Sequence, residues 1–185
     1  MAEVIVLQNV RCCYVHVDVP YKFPDDPEDK KPEYSMRILL PKDHAQVSEI
    51  EEANERLVEE TFSKLTKAQK AKLRHPLKDG DELEDDLYHG HWFLNSHSVN
   101  KPKVLNRRKE KPSEEDYEDY CYSGARFHVS ITLATFDKAN NRGVGCYLRN
   151  VMFYKRDEPL VGSTAEADFE EVEVEDDDDD ESLVD

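Results

Sequence analysis

The sequence predicts a mainly β chain: a small, partly open barrel with one long helix and a charged tail. Three observations carry this. Apolar and polar residues alternate in several short stretches, most clearly at 126–133, where Phe127, Val129, Ile131 and Leu133 share one face and Arg126, His128, Ser130 and Thr132 the other. Only one stretch has apolar residues at helical spacing, so the strand–helix–strand rhythm of a doubly wound sheet is missing. The last twenty residues, 166–185, hold thirteen carboxylates and no Lys or Arg.

Residues 3–19 are rich in β-branched side chains and predict the first strand, with Cys13, Val15, Val17 and Val19 on one face and Tyr14, His16 and Asp18 on the other. Residues 20–33 carry four prolines among mixed charges and predict a mobile loop. A second strand is expected at 34–41. Asp43 is placed to cap the helix that follows, whose stripe is Val47, Ile50, Leu57, Phe62 and Leu65 with Ala53 and Val58 beside it. Its charges are polarised, from Glu49, Glu51, Glu52, Glu55, Glu59 and Glu60 to Lys64, Lys67, Lys70, Lys72 and Arg74, an order that suits the helix dipole and accounts for the basic end.

Residues 75–83 predict a turn around Asp79-Gly80, His91–Ser98 a third strand and 103–106 a short fourth. Residues 107–119 are charged and predict a loop. Asn140-Asn141-Arg142-Gly143 marks a turn between the strand at 126–133 and a last strand at 144–154. No internal repeat is present.

The chain has 185 residues with a formal charge of −17, and removing the thirteen terminal carboxylates leaves −4 on residues 1–165. A block of that composition repels itself and buries too little apolar surface to offset the entropy of ordering, so a solvated tail is expected. The body is large enough for one core. No apolar run approaches the roughly 18 residues of a membrane span, and no basic-then-apolar leader opens the sequence, so a cytoplasmic location without membrane contact is expected. Cys12 and Cys13 are adjacent and point to opposite faces of a strand, which favours reduced thiols over a disulfide framework with Cys121 and Cys146.

Enzyme chemistry has little to stand on. There is no glycine-rich phosphate loop and no nucleophile elbow, and the carboxylates fall on the helix or in the tail. His89 and His91 share one side of a strand, with His97 and Cys121 downstream, but the paired cysteines of a zinc site are absent, so no metal is expected.

A nucleic-acid signal is stronger. Lys101, Lys103, Arg107, Arg108, Lys109 and Lys111 face the single anion Glu110 between residues 101 and 111, with Trp92 and Phe93 before them and Tyr117, Tyr120 and Tyr122 after. Cations track phosphates and flat rings stack on bases of any identity. Arg126, His128, Tyr147 and Arg149 lie on neighbouring strands. The candidate contacts are therefore Trp92, Lys101, Lys103, Arg107, Arg108, Tyr120, Tyr122, Arg126, Tyr147 and Arg149. A body at −4 suits a narrow groove for one strand better than a duplex.

Several strings stand in one order: YSMRILLPK (34–42), PLKDGD (76–81), GHWFLNS (90–96) with Lys101-Pro102 and Val104–Arg107 after it, YSG (122–124) with Arg126, GVGCYLRNVMFY (143–154), RDEPLVG (156–162) and Ala167-Asp168-Phe169. Over about residues 9–169 the chain resembles a family of phage-encoded single-stranded DNA-binding proteins. That resemblance implies an OB-type five-stranded, partly open barrel over residues 1–162, with one long helix inserted after the second strand, and a disordered acidic tail over 163–185. It implies a protein that coats and protects single-stranded DNA in replication or recombination, with no cofactor and no catalysis, in the host cytoplasm. Self-association on the DNA is compatible with it. The tail resembles a partner-docking tail, in which Phe169, Asp176, Asp177, Asp178, Asp179, Asp180, Leu183 and Val184 are the candidate contacts to replication or recombination proteins. As a tethered polyanion it is expected to compete with DNA for the barrel. Two other readings stand beside this one: an acidic DNA mimic, which predicts acid spread over a folded surface, and a metal-dependent nuclease, which needs a catalytic constellation.

Overall fold

The computed structural model describes residues 2–160. Five strands close a barrel: β1 (Ala2–Tyr21), β2 (Glu33–Pro41), β4 (His91–Ser98), β6 (Arg126–Lys138) and β7 (Asn141–Lys155), in the order β4-β2-β1-β6-β7. Its neighbours are antiparallel except at the closure, where β7 returns beside β4 in a parallel seam of two pairs, Ser96 with Cys146 and His97 with Tyr147. Below that seam the strands part. The gap is filled by residues 74–79: Arg74 exchanges backbone hydrogen bonds with Arg142 and Val144 of β7, and β3 (Lys78–Asp79) pairs with Phe93 and Trp92 of β4. The short β5 (Lys103–Leu105) adds to the edge of β7 outside the barrel.

The expected alternation in β6 holds: Phe127, Val129, Ile131 and Leu133 are fully buried. β1 departs from its expected faces. Its first half pairs with β6 and its second with β2, and the strand turns between them through two residues of left-handed backbone, Asn9 (φ 51°) and Tyr14 (φ 50°). Each inserts one residue and resets the phase, so the core-facing series is Ile5, Leu7, Val10, Cys12, Val15 and Val17. Cys13 consequently lies on the outer face, and Val19 is 67% exposed. The backbone N–H of Asn9 donates to His128 Nδ1 at 3.0 Å, and that of Tyr14 to Ser123 Oγ at 3.1 Å, so neither bulge leaves its donor unpaired.

Helix α1 (Val47–Phe62) follows β2 as expected and lays Val47, Ile50, Ala53, Leu57 and Phe62 on the barrel. Asp43 does not cap it. The N-cap is Gln46, whose side chain reaches across to β1, accepting from Gln8 N–H and donating to Val6 C=O, both at 2.8 Å. The helix also ends sooner than its charge pattern suggests, with no basic residue in its last turn. Lys67 and Lys70 belong to a separate turn, α2 (Lys67–Lys70), started by a capping box between Thr66 and Gln69. The dipole explanation for the basic stretch therefore fails.

The charged stretch after β5 also holds a helix, α3 (Glu114–Tyr120), begun by a second capping box between Ser113 and Asp116. α3 seals one end of the core: Tyr120 stacks on the fully buried Phe153 at 5.1 Å and Tyr117 meets it edge-on at 5.6 Å.

On the outer face of β1, β2 and β4 lies a second apolar cluster of Cys13, Leu39, Tyr88 and Phe93, with Leu83, Leu87 and Leu160 against it. The segment leaving β7 crosses to this cluster as a strap. Asp157 meets Arg126 at 2.7 Å and Arg11 at 3.6 Å, and Leu160 N–H donates to Ser123 C=O at 2.7 Å. The strap passes so close to Gly124 (φ +120°) that a Cβ there would lie 2.3 Å from the Glu158 carbonyl oxygen. All four cysteines are free thiols. Among the described residues no helix is long and apolar enough to cross a membrane. The expected boundary near 162 and the tail residues Phe169, Asp176 to Asp180, Leu183 and Val184 lie outside the described range.

Gly124→Ala combines a disfavoured φ with a backbone collision and is expected to cost about 2 kcal/mol or more, read as a lower urea midpoint.

Candidate nucleic-acid interface

The upper outer face of β2 and β4, with the β1–β2 loop beside it, forms an open groove of about 430 Å³. Alternation along two paired strands puts Ser35 and Arg37 of β2 beside His97 and Asn95 of β4. The other wall is aromatic. Tyr14, Tyr21 and Phe23 are 48%, 41% and 36% exposed, unusual for rings in a chain with a well-filled core, so they are available to a ligand. His16 stacks on Tyr21 at 4.4 Å and 7°, and Phe23 meets Tyr21 edge-on at 4.9 Å. Burial lowers the His16 pKa, which leaves its ring uncharged at neutral pH. Phe23 owes its position to the loop: Asp26 accepts from Phe23 N–H at 3.0 Å and from Lys30 at 3.2 Å, closing a short turn.

Two cations line the groove with the carboxylates Asp26 and Glu33; Lys30 is paired with Asp26, which leaves Arg37 as the cation without an ion pair among the described residues. Its guanidinium lies 4.9 to 5.3 Å from the ring centres of Phe93, Tyr14 and Tyr88. Its Nε donates to Asn95 Oδ1 at 2.8 Å and its Nη1 to Tyr88 Oη at 3.0 Å. Burial, then the neighbouring Cys13, pushes the Tyr88 phenol up to about 12, so Tyr88 stays neutral. No carboxylate among the described residues pairs with Arg37. Its charge is oriented but not neutralised, the state in which a guanidinium best receives a phosphate or stacks on a base.

The residues singled out in the sequence lie mostly elsewhere. Trp92 is on the opposite face of β4, packed against the main core with Lys42 Nζ 4.8 Å from its ring centre. Lys101 pairs with Asp18 at 3.0 Å, and Lys103 is exposed on β5. Arg107, Arg108 and Tyr120 do come together, around a cleft of about 300 Å³ beside α3, on a turn whose Asn106 Oδ1 accepts from Arg108 and Glu110 N–H. Tyr122 and Arg126 are brought together as well, but both hold the strap: Tyr122 Oη accepts from Asp157 N–H at 2.9 Å, and Arg126 pairs with the Asp157 carboxylate. Tyr147 touches the groove through His97, 5.1 Å away, and Arg149 is exposed further along β7. His89 and His91 bond to the backbone at Leu83 and His89 C=O, and among the described residues no three metal-ligating side chains converge.

The groove rings Tyr14, Tyr21 and Phe23 and the cation Arg37 escaped the sequence reading. A signal was present, an aromatic pair Tyr21-x-Phe23 set among prolines between two strands, where a bulky ring has no core to enter.

Residues 3–181 match the model of a family described as Enterobacter phage Enc34, ssDNA-binding protein. The chain belongs to this family. A solved structure of the single-stranded DNA-binding protein from bacteriophage Enc34 in complex with ssDNA is 28% identical and superposes with a TM-score of 0.70, covering 85% of this chain and 89% of that one. A protein designated p50 of Acyrthosiphon pisum secondary endosymbiont phage 1 is 25% identical over 165 residues, 85% of this chain and 86% of its own. The barrel itself is shared more widely: gp2.5, a single-stranded DNA-binding protein encoded by bacteriophage T7, is only 12% identical but has a TM-score of 0.62 over 89% of this chain and 98% of its own.

The hydrogen bond from Arg126, then that from Glu158 N–H, holds the Asp157 carboxyl below its ordinary pKa. A depressed carboxyl contributes stability that is complete above its unfolded value, near 3.9, and is lost as pH falls through the folded one. Asp157→Asn is therefore expected to lower the urea midpoint at neutral pH, with the gap to the parent protein closing on acidification; a gap unchanged at low pH contradicts the role given to the charge.

Proposed function

We propose that this chain binds single-stranded DNA without sequence preference, laying the strand across the groove of β2, β4 and the β1–β2 loop. The observation that carries the reading is the set of exposed rings Tyr14, Tyr21 and Phe23 beside the unneutralised Arg37. Barrels of this type hold oligonucleotides on their second and third strands and on the loops after the first and fourth. Here those strands are β2 and β4, and the loop after the first barrel strand is the one that carries Phe23. Stacking on rings is indifferent to base identity, and a single guanidinium reads charge rather than sequence. The family membership and the ssDNA complex of the Enc34 relative support the same ligand. The chain acts as a binding protein, not an enzyme, coating DNA exposed during phage replication or recombination in the host cytoplasm.

The tail enters this reading through its point of attachment. Leu160 packs with Cys13, Leu39, Tyr88 and Phe93, and the last two rings lie directly against Arg37. Thirteen carboxylates are thus tethered at the rim of the groove, where they rival DNA at high effective concentration and, once displaced, are free to meet replication or recombination partners.

Fluorescence anisotropy with labelled oligo-dT tests the groove. Tyr21→Ala and Phe23→Ala are each expected to weaken binding about 5- to 150-fold, the equivalent of roughly 1–3 kcal/mol per stacked base, with unchanged circular dichroism. Unaltered affinity in the double variant removes the groove from the DNA path. Ending the chain at Ala165 is expected to tighten binding at low salt, with the gain fading as salt screens both competitors.

A further inference from the structure

Away from the groove, the molecule carries a second concentration of positive charge. Residues 64–74 supply Lys64, Lys67, Lys70, Lys72 and Arg74 without one carboxylate, and the β6–β7 turn adds Lys138 and Arg142. The fold joins the two segments: Arg74 N–H donates to Arg142 C=O at 2.9 Å, and Val144 N–H to Arg74 C=O at 3.0 Å. Between them opens a pocket of about 430 Å³ lined by Gln69, Lys72, Leu73, Asp137, Asn140 and Arg142. Among the described residues Lys70 is paired, with Glu59 at 3.1 Å, while Lys64, Lys67, Lys72, Lys138 and Arg142 form no ion pair. A helix dipole does not account for them, since α1 ends before they begin and α2 is a single turn. In a chain with a net charge of −17, so many unneutralised cations on two joined segments call for an anionic ligand.

The lining says which kind. It contains amide side chains, two cations and one carboxylate, Asp137, in register with Arg142, but no aromatic ring, so it offers nothing for a base to stack on and more donors for phosphate oxygens than acceptors against them. Its position says where the anion comes from. From Arg142, β7 runs through Gly145 to Tyr147, whose ring tilts against His97 on the wall of the groove. Five residues of strand span about 17 Å, equal to about five nucleotides at stacked spacing. Gly145 has no side chain and the Tyr147 ring covers it on the outer face of β7, whereas Arg142 is in phase with Val144 and Cys146, so the path to the pocket turns over the end of the strand.

We infer that the pocket between α2 and the β6–β7 turn is a second contact for the sugar–phosphate backbone, receiving the DNA strand after it leaves the aromatic groove past His97 and Tyr147. This rests on the groove being the DNA site. Lys72 and Arg142 take phosphates, with Lys67 and Lys138 adding to the local field, so the length of strand covered exceeds what the groove alone holds.

The test uses the full chain with oligo-dT of about 5 and about 16 nucleotides, near the two ends of the range for one barrel of this type. Lys72→Gln with Arg142→Gln is expected to leave the affinity for the short strand within about twofold and to weaken the long one about tenfold at low salt. For the long strand, the slope of log affinity against log salt falls in magnitude by about 1.4, or 0.7 per lost phosphate contact. Lys67→Gln with Lys72→Gln, which leaves the β6–β7 turn intact, shows the same length dependence with a smaller loss. An equal loss on both lengths, or an unchanged slope, overturns the inference. A gain on both lengths also overturns it and assigns the pocket to the chain's own acidic tail. If the parent protein binds neither strand, the groove reading itself has failed; if it binds both and the variants match it, only the second contact falls.

Discussion

The structure depends on one constraint: a single strand, β1, has to serve both halves of the barrel. Its first half hydrogen-bonds to β6 and its second to β2, and Arg11 at the crossing is in register with Arg126 on one side and Leu39 on the other. A regular strand of that length would twist away from one partner. Two bulges, at Asn9 and Tyr14, turn it, and each is stabilised by a side chain from the region of β6, His128 and Ser123. The second bulge has a further effect. It puts Cys13 and Tyr14 next to each other on the outer face, between the inward Cys12 and Val15, and so stands Tyr14 over Arg37. The apolar cluster that anchors the strap and the ring that faces the groove both follow from that one residue of left-handed backbone.

The groove combines a firm floor with a looser wall. Arg37 and Asn95 sit in the middle of two paired strands, and Tyr88 and Phe93, packed beneath, fix the guanidinium from below. Phe23 and Lys30 belong to a loop held by Asp26. A cation fixed in advance loses little entropy on meeting a phosphate, whereas rings on a loop can adjust to bases of different size. That division suits a ligand whose backbone is constant and whose bases vary.

Much of the fold was legible in the chain because it rests on local periodicity. The β6 face, the β4 limits and the apolar stripe of α1 all follow from spacing that a regular element imposes. The misses share a cause: each depends on a local interruption or on a distant partner. Alternation groups Cys13 with Val15 and Val17, whereas the bulge at Tyr14, which alternation does not reveal, turns Cys13 to the other face. The charge gradient carries one helix past Phe62, whereas the chain breaks at Ser63 and restarts at the Thr66–Gln69 capping box. α3 was missed although Ser113 and Asp116 carry that same signature, its apolar content being confined to Tyr117 and Tyr120. The site was less legible than the fold. Cation runs and aromatic neighbours were visible, but Tyr122 and Arg126 are engaged by Asp157, and Trp92 faces the core, arrangements decided by residues far away in sequence.

The short seam between β4 and β7 has a geometric consequence. Because residues 74–79 are hydrogen-bonded to β7 on one side and to β4 on the other, they act as a gusset let into the wall of a sleeve. The circumference there is set by inserted backbone and not by the shear of five strands alone. Segment 63–73, which precedes the gusset, can therefore change its length without altering how the strands tilt, so that the placing of its cations is separated from the bore of the sleeve.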